Sequence, residues 1–189
     1  MLAYKAFNKD LRATLGRGTF QYEPGKTYEE DSCKCANTGF HCAENPLGTL
    51  DYYSKMDTRF FLVKAEGDIN QDGKGSRISC NKLTLVKELN RIEIAVHGCM
   101  YMQKYPNREN ESKYVVSEKG RCDNKGNFII VRGKHPAAAG VVGAYLFLIK
   151  EEKSSRDIAT IEPILVDGEE YQANTYYCIR GGKVCKRKN

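Results

Sequence analysis

The run Arg59-Phe60-Phe61-Leu62-Val63-Lys64-Ala65-Glu66 carries four consecutive apolar residues and ends at Gly67. Its apolar and polar positions alternate imperfectly, which is typical of a strand buried on both faces. Such a strand lies inside a core rather than at a surface.

Three further segments of the N-terminal half carry local signals. Residues 3–8 have the pattern of a strand. Asn45 followed by Pro46 predicts a short amphipathic helix, because asparagine caps helices and proline is tolerated at the first helical position. Apolar residues recur every three to four positions over residues 82–97, and Gly98 follows where a C-cap glycine belongs, so we expect a second helix there.

The second half of the chain has a β-rich pattern. A polar, turn-rich stretch over residues 103–127 precedes it, so we divide the chain into a region 1–99 and a region 100–189. Gly181-Gly182 suits the turn of a two-residue hairpin. The predicted strands are residues 128–131, 141–149, 161–166, 170–172 and 175–179. The sequence thus predicts an α+β fold whose C-terminal region is mostly antiparallel β.

Composition and charge limit the functional class. Of the 189 residues, 41% are hydrophobic and 29% charged, and no run approaches the roughly 18 apolar residues that a membrane span requires. The first ten residues become polar too early for a signal peptide, so we expect a cytoplasmic protein with no membrane partner. The net charge of +6 is modest, Trp is absent and no RNP-like or helix-turn-helix pattern is present, so we do not expect a nucleic-acid partner.

The cysteines form an even set of eight, but the chain is neither short nor marked for secretion, so we expect reduced thiols. Cys33, Cys35, His41 and Cys42 have the ligand chemistry that zinc prefers, without the paired C-x-x-C spacing of a closed structural site. We therefore predict no metal, although metal binding by these thiols stays open at this point. The cysteines are Cys33, Cys35, Cys42, Cys80, Cys99, Cys122, Cys178 and Cys185.

One acidic stretch resembles part of a calcium loop. Asp68, Asn70, Asp72 and Gly73 match the opening of an EF-hand loop. Ser79 stands where the bidentate glutamate should be, so the loop lacks two oxygen ligands and a plain Asp-Gly turn is the simpler interpretation. No serine-hydrolase, Walker or dinucleotide motif is present in the chain.

Short aromatic and glycine motifs stand out along the chain. They are Tyr4-Lys5-Ala6-Phe7, Phe20-Gln21-Tyr22-Glu23-Pro24-Gly25-Lys26-Thr27-Tyr28, Gly39-Phe40-His41-Cys42, Asn45-Pro46-Leu47, Leu50-Asp51-Tyr52-Tyr53, Gly140-Val141-Val142-Gly143-Ala144-Tyr145-Leu146, Val166-Asp167-Gly168 and Thr175-Tyr176-Tyr177. Together they resemble a family of uncharacterised phage and prophage proteins. The resemblance touches most of the chain apart from residues 100–127 and implies no particular activity.

The order of elements in residues 1–80 resembles, more distantly, the ADP-ribosyltransferase fold of the small rifampin-modifying type. The counterparts of its NAD cleft are residues 4–7, 39–53 and 60–72. The resemblance implies an N-terminal mixed α/β ADP-ribosyltransferase-like region packed with the β-rich C-terminal region. The first strand lacks the His-Gly-Thr triplet of that type.

The same resemblance implies a site for NAD. Cleavage of the nicotinamide-ribose bond develops an oxocarbenium-like cation, so the site needs an aromatic face, donors to the pyrophosphate and an acceptor near the ribose. Tyr53 and Asp68 are the predicted catalytic residues, with Asp72 as an alternative acceptor. The competing interpretation is that the tyrosines belong to the core and the acids to a turn. The predicted cofactor-binding residues are Tyr4, Lys5, His41, Tyr52 and Arg59.

Functions of different classes remain open. The leading hypothesis is a protein that binds NAD or a related nucleotide, with ADP-ribosyl transfer as its enzymatic form. The alternative is a non-catalytic anti-defence protein that sequesters a nucleotide signal or binds a host protein, which the missing His-Gly-Thr triplet favours. A structural accessory protein without a ligand is the third, because a β-rich half offers edge strands for self-association.

Overall fold

The chain forms two compact units, Met1–Ile94 and Ala95–Asn189. Strands hold 50% of it and helices 11%. The predicted α+β class, with a mixed α/β ADP-ribosyltransferase-like N-terminal region, is therefore wrong, because each unit is built from β-sheet. No helix in the described part of the chain is long and apolar enough to cross a membrane. The structure is a computed structural model that describes residues 1–14, 18–53, 57–71, 73, 75–109 and 112–187.

Unit 1 contains a five-stranded sheet, a two-stranded ribbon and a short 3-10 helix within its described residues. The ribbon consists of the second and third strands. The elements are β1 (Leu2–Phe7), β2 (Arg12–Ala13), β3 (Phe20–Gln21), β4 (Thr27–Glu29), β5 (Phe40–Ala43), the 3-10 helix (Pro46–Asp51), β6 (Arg59–Gln71) and β7 (Arg77–Leu89). Helix α1 (Arg91–Lys104) follows β7.

The five-stranded sheet closes on itself. Its order is β4-β7-β5-β1-β6, and β6 also pairs with β7, so four strands form a ring. Register shifts interrupt the β6–β7 pairing at Leu62/Val63 and at Glu66/Ile69. Bulges of this kind bend a strand locally, which lets two 13-residue strands curl far enough to close the ring.

Alternate side chains point into the ring and form the core of unit 1. On β1 these are Ala3, Lys5 and Phe7, and the register with β6 sets Lys5 beside Phe61. Lys5 therefore brings a charge into an otherwise apolar interior. The buried residues of this core are Ala3, Phe7, Leu11, Tyr22, Phe40, Cys42, Phe61, Val63, Ala65, Ile78, Cys80, Leu83 and Leu85.

Three predicted elements of unit 1 are confirmed. The run 59–66 lies in β6, where Phe60 and Phe61 point to opposite faces and are both buried. Residues 3–8 overlap β1. The predicted short helix is present as a 3-10 helix, and the Asn45 side chain caps it by accepting a hydrogen bond from the Leu47 amide at 3.0 Å.

The helix predicted over residues 82–97 is wrong in its first half, because residues 82–89 belong to β7. Leu83 and Leu85 both point into the ring, so the period of two governs this segment although a helical spacing overlaps it. The helix begins only after Asn90, whose side chain accepts from the amides of residues 92 and 93 at 2.9 Å. The Glu93 carboxylate in turn accepts from the Asn90 amide at 2.7 Å, completing a capping box.

Unit 2 holds a six-stranded sheet of order β11-β10-β9-β12-β13, with β8 paired to β9. The predicted hairpin at Gly181-Gly182 is confirmed, but no strand covers residues 170–172. The pairs β8–β9 and β9–β10 are parallel, so the expectation of a mostly antiparallel region was only partly right. The strands are β8 (Val115–Cys122), β9 (Phe128–Gly140), β10 (Tyr145–Glu151), β11 (Ile158–Leu165), β12 (Tyr177–Arg180) and β13 (Lys183–Lys186).

Candidate functional site

A cavity of about 640 Å³ lies in unit 1. It sits at the seam between β1 and β5, which share a single register pair, Tyr4 with Ala43. Its walls come from the two seam strands and from the loops on either side of them. Its volume is in the range of about 300–1,000 Å³ that is usual for small-molecule sites. The aromatic lining residues are Tyr4, Phe20, Tyr22, Phe40, Tyr52 and Tyr53, and the ionisable ones include Lys5, Glu30, His41 and Arg77.

Five of the seven predicted site residues line this one cavity. They are Tyr4, Lys5, His41, Tyr52 and Tyr53, and they come from three separate segments of the chain. The 3-10 helix presents the two adjacent tyrosines just after its C-terminal end. Closure of the sheet therefore brings together residues that are up to 49 positions apart in sequence.

Arg59 and Asp68 are not among the described residues that line the cavity. Arg59 instead makes a bidentate ion pair with Glu88 across the β6–β7 pairing, with N···O distances of 2.6 and 2.7 Å. Asp68 is exposed on β6, and its backbone amide donates to the Asn81 side chain at 2.8 Å. The alternative acceptor, Asp72, lies outside the described residues. The predicted acid therefore does not face the predicted ring of Tyr53.

Lys5 is the most unusual residue of the cavity, since it is only 8% exposed. Its Nζ donates to the carbonyl oxygen of His41 at 2.5 Å and lies 5.4 and 5.6 Å from the ring centroids of Tyr22 and Phe7. No carboxylate of the described residues pairs with it at ion-pair distance, and burial lowers the pKa of its ammonium group. An ammonium has three donors, so a buried one with a single acceptor is costly unless a ligand completes its contacts.

Aromatic rings form one wall of the cavity. Phe20, Tyr22 and Phe40 contact one another, with ring centroids 4.7 to 6.2 Å apart. Burial raises the pKa of the Tyr22 phenol, which keeps it protonated and able to donate a hydrogen bond. These three residues were not predicted as site residues, although the aromatic Phe20-Gln21-Tyr22 motif was visible, because their meeting at the cavity depends on pairings between distant strands.

The rim of the cavity carries the two tyrosines that were predicted. Tyr52 is 46% exposed, so its ring is open to solvent and to a ligand. The hydroxyl of Tyr53 accepts a hydrogen bond from the backbone amide of Thr14 at 2.9 Å, which ties the chain after β2 to the rim. Tyr52 is thus free to contact a ligand, whereas Tyr53 also holds the wall in place.

His41 and Glu30 complete the polar lining. Burial, together with the positive charges of Lys5 and Arg77, lowers the pKa of His41, so its imidazole is neutral at neutral pH. Its Nε2 is buried without a hydrogen-bond partner among the described residues. Glu30 Oε2 accepts from the Gly39 amide at 3.1 Å, so this carboxylate is held against the backbone of the loop before β5.

The cysteines near the cavity do not assemble a metal centre. The Sγ of Cys33 contacts the carbonyl oxygen of Asp68 at 3.2 Å, whereas that of Cys35 contacts the carbonyl oxygen of Arg77 at 3.8 Å. Cys42 points into the core of the ring. Within the described ranges, no three His, Cys, Asp or Glu side chains come together as metal ligands would.

Gly39 shapes the cavity at the start of β5. Its φ is +83°, and a Cβ added to it would come within 2.6 Å of the Cys33 Cβ and 2.8 Å of the Cys80 carbonyl oxygen. We expect Gly39→Ala to lower the free energy of unfolding by at least about 2 kcal/mol, since strain and collision add up. Urea unfolding measures this. Gly25→Ala is the matched control, because Gly25 has a φ of +78° with nothing within 4 Å; equal losses at the two positions would contradict the role of the collision.

Residues 1–97 match the family model described as Domain of unknown function (DUF7666). The matched segment spans the whole of unit 1 and therefore the whole cavity. No curated protein and no solved structure matches the chain. Since the match covers just over half of the 189 residues, the chain belongs to the DUF7666 family.

Proposed function

We propose that unit 1 is a binding module whose cavity holds a small ligand with an aromatic ring and an anionic group, of the nucleotide class that includes NAD. The observation that carries this proposal is the buried ammonium of Lys5, which lines an aromatic cavity of about 640 Å³. The proposal concerns binding, and the two halves of the ligand have separate partners in the cavity.

The anionic group is assigned to Lys5. A charge buried in an apolar interior is costly unless it is paired, and the described carboxylates leave this one unpaired at ion-pair distance. A phosphate oxygen beside Nζ would supply both the missing charge and further hydrogen-bond acceptors. Arg77, which also lines the cavity, adds to the positive potential there.

The aromatic ring of the ligand is assigned to the tyrosine rim. Tyr52 is largely exposed beside the opening, and Tyr4 and Tyr53 line the same cavity. Base-on-aromatic stacking contributes about 1–3 kcal/mol for each base. The separation of an aromatic rim from a cationic interior suits a ligand whose ring and phosphate lie at opposite ends.

The side chains of the cavity favour ligand binding without catalysis. Cleavage of the nicotinamide bond requires an acceptor near the ribose, but Asp68 is off the cavity and Glu30 is held by the Gly39 amide. We therefore favour sequestration of a nucleotide over ADP-ribosyl transfer. The resemblance to phage proteins makes a phage-type accessory protein in the host cytoplasm the setting of this proposal.

The test is calorimetric titration of the full chain with NAD, AMP and adenosine. We expect NAD and AMP to bind, and adenosine to bind about 10- to 100-fold more weakly because it lacks the group that pairs with Lys5. Absence of heat with all three compounds would refute the proposal. Equal affinities for AMP and adenosine would refute the role of Lys5 and leave the cavity as a site for the ring alone.

Substitution of the rim tests the stacking contact. We expect Tyr52→Ala to weaken AMP binding by about 10-fold or more, since it removes the most exposed ring of the cavity. Its effect on the unfolding midpoint should be small because the side chain is exposed. Tyr176→Ala in unit 2 is the control variant, and unchanged AMP affinity in Tyr52→Ala would exclude the rim from the site.

A further inference from the structure

Two thiols face each other across the last hairpin of unit 2. The register of β12 and β13 pairs Cys178 with Cys185, and their Sγ atoms lie 3.6 Å apart. Both are free thiols in the structure. They are seven positions apart along a tight hairpin, so their proximity is set by local pairing and not by a distant contact.

The hairpin holds the two cysteines in a geometry that a disulfide can use. Gly181 and Gly182 form its two-residue turn with φ values of +57° and +75°, the positive values that a type I′ turn requires. Directly paired residues of antiparallel strands have Cα atoms about 4.5–5.5 Å apart. That spacing lies within the range of about 4.4–6.8 Å found in disulfides, so closure requires little more than side-chain rotation.

The two sulfurs differ in access. Cys178 is 7% exposed on β12, whereas Cys185 is half-buried on β13, which forms the edge of the sheet. Burial raises the pKa of Cys178, while the charge of Arg180 acts in the opposite direction. Cys185 is therefore assigned as the thiol that reacts first.

The hairpin is also positively charged. Four basic residues lie on the hairpin or directly after it, namely Arg180, Lys183, Lys186 and Arg187. The described part of the hairpin carries no acidic residue. Positive charge favours the thiolate over the thiol and attracts anionic reagents. A disulfide that bears carboxylates is thus the class of oxidant that this surface suits.

We propose that Cys178 and Cys185 are a site of reversible disulfide formation, reached by exchange with an anionic low-molecular-weight disulfide such as glutathione disulfide. The Cys185 thiolate attacks one sulfur of the oxidant, forms a mixed disulfide and releases one glutathione thiolate. Cys178 then loses its proton to solvent and attacks the Cys185 sulfur, which releases the second glutathione. The two protein thiols are oxidised and one glutathione disulfide is reduced to two glutathione molecules, so atoms and electrons balance.

Closure would join the edge strand to the sheet covalently. Among the described residues, β13 pairs with β12 alone, and β12 in turn pairs with β9 at two positions only, Tyr177 and Cys178. An edge held by one neighbour can separate locally at low cost. The disulfide would therefore protect the backbone amides of β13 from hydrogen exchange, and reduction would release them.

The experiment treats the reduced full chain with glutathione disulfide, alkylates the remaining thiols and maps the peptides by mass spectrometry. We expect the protein to become lighter by about 2 Da, with Cys178 and Cys185 linked to each other. We also expect slower hydrogen exchange over residues 177–186 in the oxidised form. A product that stops at the mixed disulfide, or oxidation that spares both residues, would overturn the proposal.

Serine variants assign the order of the steps. In Cys178→Ser the mixed disulfide at Cys185 should persist, adding about 305 Da, because no second thiol can resolve it. In Cys185→Ser, the buried Cys178 should react at least about tenfold more slowly. Cys33→Ser is the matched control, since Cys33 is the other half-buried cysteine; a loss of the 178–185 link in that variant would point to a different exchange partner.

Discussion

Lys5→Met is expected to weaken AMP binding by about 10- to 100-fold while it raises the free energy of unfolding by about 1–3 kcal/mol. The two effects have opposite signs because the same ammonium is costly in the folded protein and useful to a ligand. Lys5 is 8% exposed within the ring, and methionine has a similar length without the charge. A residue that only served packing would not show this combination.

The pH dependence of the same variant isolates the charge. Burial lowers the pKa of Lys5 in the folded protein, whereas the unfolded chain has the ordinary value of 10.5. Between these two values the unfolded state binds more protons, so the penalty for burying Lys5 shrinks as pH rises toward 10.5. The stability advantage of Lys5→Met over the native chain should therefore decline as the pH rises from neutral toward 10.5.

Urea unfolding at several pH values, together with calorimetry, measures both effects. Lys26→Met is the control, because Lys26 is exposed and its ion-pair partner among the described residues is Glu23, at 2.7 Å; it should change neither AMP affinity nor stability by more than about 0.5 kcal/mol. A Lys5→Met protein that is destabilised and still binds AMP would show that Lys5 supports the structure without contacting a ligand.

The sequence patterns that depend on neighbouring residues predicted the local elements well. The cap at Asn45 and the strand over residues 59–66 need only their own side chains and a core to face. The segment 82–89 was misassigned because a helical spacing and an alternating pattern overlap in it. What settles the conflict is the pairing of β7 with β6, β5 and β4, which no local pattern contains.

The same distinction between local patterns and distant strand pairings applies to the candidate site. Five residues that the family resemblance suggested line one cavity, although the architecture implied by that resemblance is wrong. They are Tyr4, Lys5, His41, Tyr52 and Tyr53. Arg59 and Asp68 lie on β6, and the ring closure directs Arg59 to Glu88 and leaves Asp68 exposed. The positions of these two side chains depend on which strands pair to close the ring. Those pairings join residues that are far apart in the chain, so no local sequence pattern contains them.

The largest loss of stability outside unit 1 is expected at a buried ion pair of unit 2. Arg132 is 6% exposed, and its Nε lies 2.8 Å from an oxygen of Glu151, whose side chain is 12% exposed. Arg132 also donates to the carbonyl oxygens of Pro106 and Arg156 at 2.6 and 2.8 Å, which joins two loops to β9. Its NH1 is buried without a partner among the described residues, so the carboxylate carries most of the charge compensation.

Glu151→Gln keeps the size of the side chain but leaves the Arg132 charge buried without an anion, so we expect the free energy of unfolding to fall by about 3–5 kcal/mol. Lys134 and Arg156 lie 3.6 and 3.9 Å from the same carboxylate, and both are more exposed than Arg132, so they contribute less to the loss. The Nζ of Lys134 also keeps the carbonyl oxygens of Glu152 and Ser155 as acceptors. Urea unfolding followed by circular dichroism measures the change, with the exposed neighbour Glu152→Gln as control.

The double variant Arg132→Met/Glu151→Leu should recover part of the loss, because it removes both charges together. A double variant less stable than Glu151→Gln would mean that the carbonyl contacts of Arg132, and not its charge compensation, hold the two loops.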